Sequence, residues 1–302
     1  MAGLHVTELR LQGFGCIRDA RIALTPLHAI LGPSDSGKTT VLRALRALSR
    51  YAQQRNVQAA LTEFGLYARE SATLEAHVEG AGHAIVRRDR GGWGEHHVDD
   101  EARAALGGHH TLHFEPEALR QASSLIPEGA PLRFADERGL GMPAVYDAIL
   151  SRDVSTYFSL SERLAKAFPT VKTISLKNPN QQTKALGVQL EDGSFVPAAA
   201  MSEGLLRFLA FAAMPYLAPA ALFLVEEPEN GLHPARIRDV VSMLREISQT
   251  RQVVMATHSP FVVEQLEPNE VTLLSRDPAK GTQAVPLTET ALAGMTAKAL
   301  GE

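Results

Sequence analysis

The run Gly32-Pro33-Ser34-Asp35-Ser36-Gly37-Lys38-Thr39 fits the pattern G-x-x-x-x-G-K-S/T, between an apolar run and a helical pattern. Glycines let such a backbone curl so that its N–H groups point inward at phosphate oxygens. The helix N-terminus that follows adds partial positive charge aimed at the same anion. Lys38 would reach the β- and γ-phosphates of ATP, and Thr39 would place its hydroxyl on Mg²⁺. The alternative is a chance turn, and with Gly at about 7% of residues the pattern arises by accident in roughly one chain in a hundred of this length.

A second group stands much later. The apolar residues 221–225 run straight into Glu226-Glu227-Pro228-Glu229. Carboxylates at the end of a buried strand are costly unless they meet a cation or activate something at the sheet edge. Glu226 then belongs to the Mg²⁺ shell, directly or through water, and Glu227 polarises the attacking water. The alternative is an acidic loop start on a solvated rim. Pro228 cannot continue a central strand, so the chain leaves the sheet there.

Residues 253–257 read as another buried strand, ending in Thr257-His258-Ser259. At a strand's carboxyl end His258 can bond a γ-phosphate and orient water, or simply be a solvated end residue. In Met201-Ser202-Glu203-Gly204, Ser202 reads locally as a helix N-cap. Functionally, the Ser202 hydroxyl, the Gly204 N–H and the helix N-terminus make a second anion site. One protomer has little use for two γ-phosphate sites, whereas two protomers facing head to tail can each lend one to the other.

These groups need an α/β scaffold. Residues 4–12 and 17–24 alternate around Gly13-Phe14-Gly15 as an antiparallel pair. A short apolar strand at Leu27–Leu31, the phosphate loop and a helix from about 38 to 53 follow. Residues 71–98 read as further antiparallel strands, and 111–114 as a buried one. The Pro-rich stretch 115–169 reads as an insertion with helices near 143–150 and 153–167, followed by strands near 170–177 and 184–190 and a turn at Asp192-Gly193. From 201 onward helices alternate with apolar strands, which indicates a parallel sheet covered on both faces. We expect one domain over 1–302, with the insertion at about 115–169, and a helix in the Ala-rich tail from 288.

In this order the segments resemble the ABC-type ATPase heads of the RecF/SMC/OLD group, nearest to stand-alone bacterial OLD-like predicted ATPases. GPSDSGKTT resembles their phosphate loop (Gly32 to Thr40), MSEGLLRFLAF their signature helix, LFLVEEPENGLHP their acidic motif and QVVMATHSPFVVEQL their switch-histidine segment. The resemblance covers both ends of the chain, with 50–135 matching only as a strand-rich lobe. It implies a P-loop NTPase fold: an ABC-type head with an antiparallel β lobe and a short helical insertion. It also implies phosphate and Mg²⁺ binding by Lys38, Thr39 and Thr40, metal-associated and catalytic roles for Glu226 and Glu227, and a switch role for His258. Ser202 and Gly204 would act across an ATP-dependent homodimer, with Asn230 to His233 as the D-loop at its seam. The implied role is DNA repair or phage defence with DNA or a nuclease as partner.

Departures from the family pattern stand beside this. Ser34-Asp35 replaces the commoner Asn-Gly and puts a carboxylate near phosphates, so it must point away or bridge to solvent. Glu226 stands where many relatives have Asp. The family's loop glutamine has only Gln121 as a weak candidate. No long coiled coil separates the halves, and no acidic nuclease domain follows residue 275. A nucleotide-sensing scaffold with little turnover is the alternative, and a transporter subunit fits less well because SEGLLR and GLHP differ from that group.

Bulk properties narrow the classes. The net charge of −4 gives the whole molecule no footprint for nucleic acid, so any DNA contact must be local or formed by a dimer. Arg43, Arg46 and Arg50 share one helix face, either solvated or facing DNA. His109, His110 and His113 near Glu115 invite a metal reading, but on a strand His110 faces away from the other two. The single cysteine, Cys16, excludes an internal disulfide and fits a reducing cytoplasm. No run of 18 apolar residues suggests a membrane span.

Overall fold

The computed structural model describes residues 4–54, 65, 67–80, 82–90 and 92–290. The tail expected to be helical falls mostly at 291–302, outside the described residues. The chain forms two compact units: one of 1–111, 220–228 and 244–302, the other of 112–219 and 229–243.

The first unit holds two sheets. The antiparallel sheet has the order Ile17–Ala23, Val6–Phe14, Ala68–Val78, His83–Asp89, Gly92–Val98. Its hairpin closes with Phe14 opposite Ile17, so Phe14 ends the strand and Gly15-Cys16 make the turn. The other sheet runs Gly281–Pro286, Val271–Asp277, Leu27–Leu31, Gln252–Thr257, Leu222–Glu226, His109–Leu112. Its pairings at Leu27–Leu31 and between Leu222–Glu226 and Gln252–Thr257 are parallel. The central strands Leu27–Leu31, Leu222–Glu226 and Gln252–Thr257 are mostly apolar, as strands covered on both faces are. The final strand, Gly281–Pro286, is antiparallel.

The helix Lys38–Gln53 packs on strands of both sheets. Val41, Leu42, Leu45, Leu48 and Ala52 recur at helical spacing and join Leu9, Leu11, Phe14, Leu74 and Val254 in one core. Each fully buried leucine contributes about 1.5–3 kcal/mol. The buried Gln252 amide links the sheets: it accepts from the Val6 N–H at 3.0 Å and donates to the Val6 carbonyl at 2.8 Å and the Thr25 carbonyl at 3.1 Å.

Within Leu27–Leu31, His28 is buried between the Thr25 and Thr272 hydroxyls, with Nε2 2.9 Å from Thr272 Oγ1. Burial disfavours its charged form and pushes its pKa down from 6.5 to about 3. The unfolded chain therefore takes up a proton near pH 6.5 that the fold refuses. Stability is untouched above that pH and falls as pH drops from 6.5 towards 3, by about 2 kcal/mol at pH 5. Urea unfolding at pH 7.5 and pH 5 should register this loss, and His28→Asn should lower stability at pH 7.5 yet flatten the pH slope. An equal slope in both proteins would refute the assignment.

In the second unit the strands Val171–Lys177, Thr183–Leu190, Phe195–Pro197 and Ser123–Ser124 form a small antiparallel sheet. The helices Met142–Arg152, Val154–Ala167 and Glu203–Ala213 accompany it. Tyr146, fully buried, donates its hydroxyl to the Leu209 carbonyl at 2.8 Å, and Phe114 makes edge contacts with Phe134 and Phe211. The strand expected at 111–114 ends at Leu112, because His113 turns its N–H to Glu137 and Glu115-Pro116 open a short helix. Among the described residues no helix is long and apolar enough to cross a membrane.

Candidate active site

Three parallel strands deliver the chemistry to one sheet edge. Leu31 lies opposite Thr257, and Glu226 opposite Ala256, so the residues leaving these strands emerge side by side. They are the phosphate loop from Gly32, the Glu226-Glu227 pair and His258. Carboxyl ends of parallel strands are where α/β sheets bind ligands.

The loop is shaped by positions that tolerate no side chain. A Cβ at Gly32 would lie 2.4 Å from the Leu274 carbonyl oxygen and 2.6 Å from Ser36 Oγ. Gly37, at φ 106°, caps the helix in the left-handed region. Lys38 folds back, its ammonium donating to the Gly32 and Pro33 carbonyls at 2.9 Å each. Ser36 Oγ is buried and has no hydrogen-bond partner among the described residues. A buried hydroxyl without a partner is costly, and in a loop of this shape an anion's oxygen would satisfy it.

Asp35, at φ 66°, turns its carboxylate to the Arg276 guanidinium, and its side chain is 80% exposed. The carboxylate that departs from the family pattern is thereby directed to a cation on the strand Val271–Asp277.

Thr39 Oγ1 donates to Glu226 Oε2 at 3.2 Å. Two hard oxygen donors at that separation suit adjacent positions around Mg²⁺, whose octahedral ligands at about 2.1 Å stand about 3 Å apart. Glu227 has φ 47°, which for a residue with a Cβ costs about 1–3 kcal/mol and is held only by its surroundings. Its N–H donates to the Ala256 carbonyl at 2.8 Å, and buried Pro228 follows. His258 Nδ1 lies 3.5 Å from Glu227 Oε1. The Thr257 hydroxyl accepts the Ser259 N–H at 3.0 Å and fixes the turn that presents His258. A carboxylate and an imidazole paired beside a phosphate loop can take and orient a water's proton.

In the second unit, exposed Ser202 caps the helix Glu203–Ala213, its Oγ accepting from the Leu205 N–H at 3.3 Å. The local reading of Ser202 thus holds, and the hydroxyl keeps a proton to donate. A Cβ at Gly204 would meet the Gly231 carbonyl at 3.0 Å, and one at Gly231, φ 64°, would meet Glu203 Oε2 at 3.1 Å. The signature segment and the loop 230–233 are therefore packed together, with a glycine on each side of the contact. Gln121 is exposed after the short helix Pro116–Leu119 of the same unit.

Sequence reasoning missed several supports. Arg276 and Gln252 are far along the chain from what they hold, and nothing local marks them. Cys16 Sγ lies 3.5 Å from Thr40 Oγ1, beneath the phosphate helix. The arginines on that helix divide: Arg43 is exposed with its guanidinium 5.1 Å from the Tyr67 ring centre, Arg46 is half-buried and Arg50 exposed. His109 Nδ1 meets Ser49 Oγ at 3.0 Å, and burial, then the nearby Arg50 and Arg46 charges, push its pKa down to about 4. His110 packs on the Phe223 ring at 5.0 Å. Among the described residues no metal-ligand group forms at 109–115.

Residues 100–264, more than half of the chain, match the family described as "AAA domain, putative AbiEii toxin, Type IV TA system". Residues 8–63 match a second family described as "AAA domain". Similar solved structures include an Smc head bound to the C-winged helix domain of ScpA (16% identity, TM-score 0.64, covering 93% of this chain and 97% of that one). They also include the SMC head domain from Thermotoga maritima (14%, TM-score 0.55, 93% and 98%). A third is the Smc head with an extended coiled coil from Pyrococcus furiosus, bound to the C-terminal domain of ScpA (13%, TM-score 0.62, 99% and 100%). At these identities the likeness is one of fold, and that fold is the P-loop ABC-type ATPase head expected from the motifs. No curated protein matches the chain.

Proposed function

The chain belongs to the AAA-domain family described as "putative AbiEii toxin, Type IV TA system", and we propose that it is an ATP-hydrolysing ABC-type ATPase that closes into a homodimer on ATP. One observation carries the proposal: a glycine-shaped loop with a buried lysine, the Thr39–Glu226 pair and the Glu227–His258 pair lie at the carboxyl ends of three neighbouring parallel strands.

In this reading the Lys38 ammonium exchanges the Gly32 and Pro33 carbonyls for the β- and γ-phosphates. Ser36 and the loop N–H groups take the remaining oxygens, with Thr40 beside them. Thr39 and Glu226 hold Mg²⁺, which when bound neutralises charge on the phosphate oxygens. Glu227 accepts the proton of the attacking water as general base, and His258 orients that carboxylate and the γ-phosphate. Ser202 and Gly204 serve the partner's nucleotide.

Asp35 argues against a low-turnover sensor, because its carboxylate is engaged by Arg276 rather than set among the phosphates. Kinship with the OLD-like group, and DNA repair or phage defence with DNA or a nuclease, rest on the motif resemblance, and work in the cytoplasm rests on the single cysteine. The Smc heads are bound to ScpA domains in two of the similar structures, which is consistent with a protein partner here.

Steady-state phosphate release from the full chain, with and without duplex DNA, tests the reading. Parent protein should turn over, and Lys38→Ala should lose ATP binding by at least about a hundredfold, since a charged hydrogen-bonding partner of the phosphates is removed. Undiminished affinity for ATP in Lys38→Ala would sink the site assignment.

A further inference from the structure

We propose a second cation site, unrelated to the nucleotide, formed by Glu75, His77 and His83 on the outer face of the five-stranded sheet and suited to a zinc-class divalent metal. The strand Ala68–Val78 buries Ala72, Leu74, Ala76 and Val78 and turns Thr73, Glu75 and His77 outward. His83 of the neighbouring strand stands directly opposite His77, and Glu8 stands opposite His77 on the other side. Regular strand pairing thus brings the ligands together on a rigid surface.

The atomic arrangement is convergent. His77 Nε2 is 3.3 Å and His83 Nε2 3.0 Å from the same oxygen, Glu75 Oε1. All three ligand atoms lie within 4.8 Å of one another. Tetrahedral zinc with bonds of about 2.0–2.1 Å separates its ligands by about 3.4 Å, so the two carboxylate–imidazole distances already match its edges. The two imidazoles stack, with centroids 5.0 Å apart and planes 24° from parallel, and both direct Nε2 to that oxygen.

Two guanidinium groups flank the cluster on the oxygens that the imidazoles do not share. Arg10 approaches the other oxygen, Glu75 Oε2, at 3.9 Å, and Arg21 pairs with Glu8 at 3.2 Å. Glu8 Oε1 lies 4.0 Å from His77 Nε2, close enough to become a fourth ligand if Arg21 releases it, with water as the alternative. Two imidazoles and a carboxylate select zinc, nickel or copper over magnesium or calcium. The bound ion would clamp the hairpin between Ala68–Val78 and His83–Asp89.

Zinc chloride titrated into chelator-treated full-length protein tests the proposal by calorimetry, with cobalt chloride as an absorbing substitute. One equivalent should bind, cobalt should give the intense visible bands of a tetrahedral site, and zinc should raise the melting temperature. His77→Ala, His83→Ala and the isosteric Glu75→Gln should each weaken zinc at least tenfold and abolish the melting shift, whereas His258→Ala should leave both unchanged. Circular dichroism establishes that the variants are folded, and Glu75→Gln carries the test if a histidine variant is not. Equal zinc affinity in parent and Glu75→Gln, or loss of binding in His258→Ala instead, would overturn the site and leave a plain ion-pair cluster.

Discussion

Glu227→Gln should bind ATP as tightly as the parent, lose about 10²–10⁴-fold in hydrolysis, and accumulate as an ATP-bound dimer. The amide keeps the size of the carboxylate and its approach to His258 at 3.5 Å, but it is not a base. The residue's unusual φ of 47° and the Ala256 contact belong to the backbone and survive the change. Binding and closure should therefore persist while the proton transfer stops. Size-exclusion chromatography with ATP, run beside a phosphate-release assay, reads both. A monomeric Glu227→Gln protein that still hydrolyses ATP would remove Glu227 from the catalytic role and return it to the solvated rim.

The second large effect concerns sharing of sites between chains. Ser202 and Lys38 belong to different compact units of the protein. One nucleotide has one γ-phosphate, and in the proposed site Lys38 serves it, which leaves the signature segment to be offered to a partner's nucleotide. Ser202→Arg should be inactive alone, since a bulky cation replaces the exposed capping hydroxyl, and Lys38→Ala should be inactive alone. Mixed, they form heterodimers in which one site carries both lesions and the other neither. If the sites act in trans, the mixture regains part of the parent turnover. If they act in cis, every site keeps a lesion and nothing returns. Dimer formation on ATP, followed in parallel, separates failed assembly from sites that must fire together. Parent-rate hydrolysis by Ser202→Arg would refute the shared-site arrangement.

How much of this was legible beforehand depended on how local each signal was. The phosphate loop, its helix and the apolar strands declared themselves through short-range pattern, because glycine spacing and periodicity are properties of neighbours in sequence. The boundary at 111–114 slipped because His113 finds its partner in Glu137, which no local pattern reveals. The strand Gly281–Pro286 was overlooked because its pairing with Val271–Asp277 leaves little apolar alternation to read. Asp35 raised a correct question, but its answer lay in Arg276, 241 residues away. The histidines at 109–113 drew attention by clustering in sequence, whereas His77 and His83 meet only through strand register.

The order of strands in the larger sheet also bears on how the chain is made. Leu27–Leu31 finds its two neighbours in Gln252–Thr257 and Val271–Asp277, segments synthesised long after it. The backbone of Val6 likewise waits for the Gln252 amide, 246 residues later. Until then an apolar strand has both edges unpaired, a state that invites association with other chains. Pairings this distant are slow to close. Synthesis of Gln252–Thr257 and Val271–Asp277 is thus the step that completes the strand carrying the phosphate loop, so products truncated before them would be adhesive.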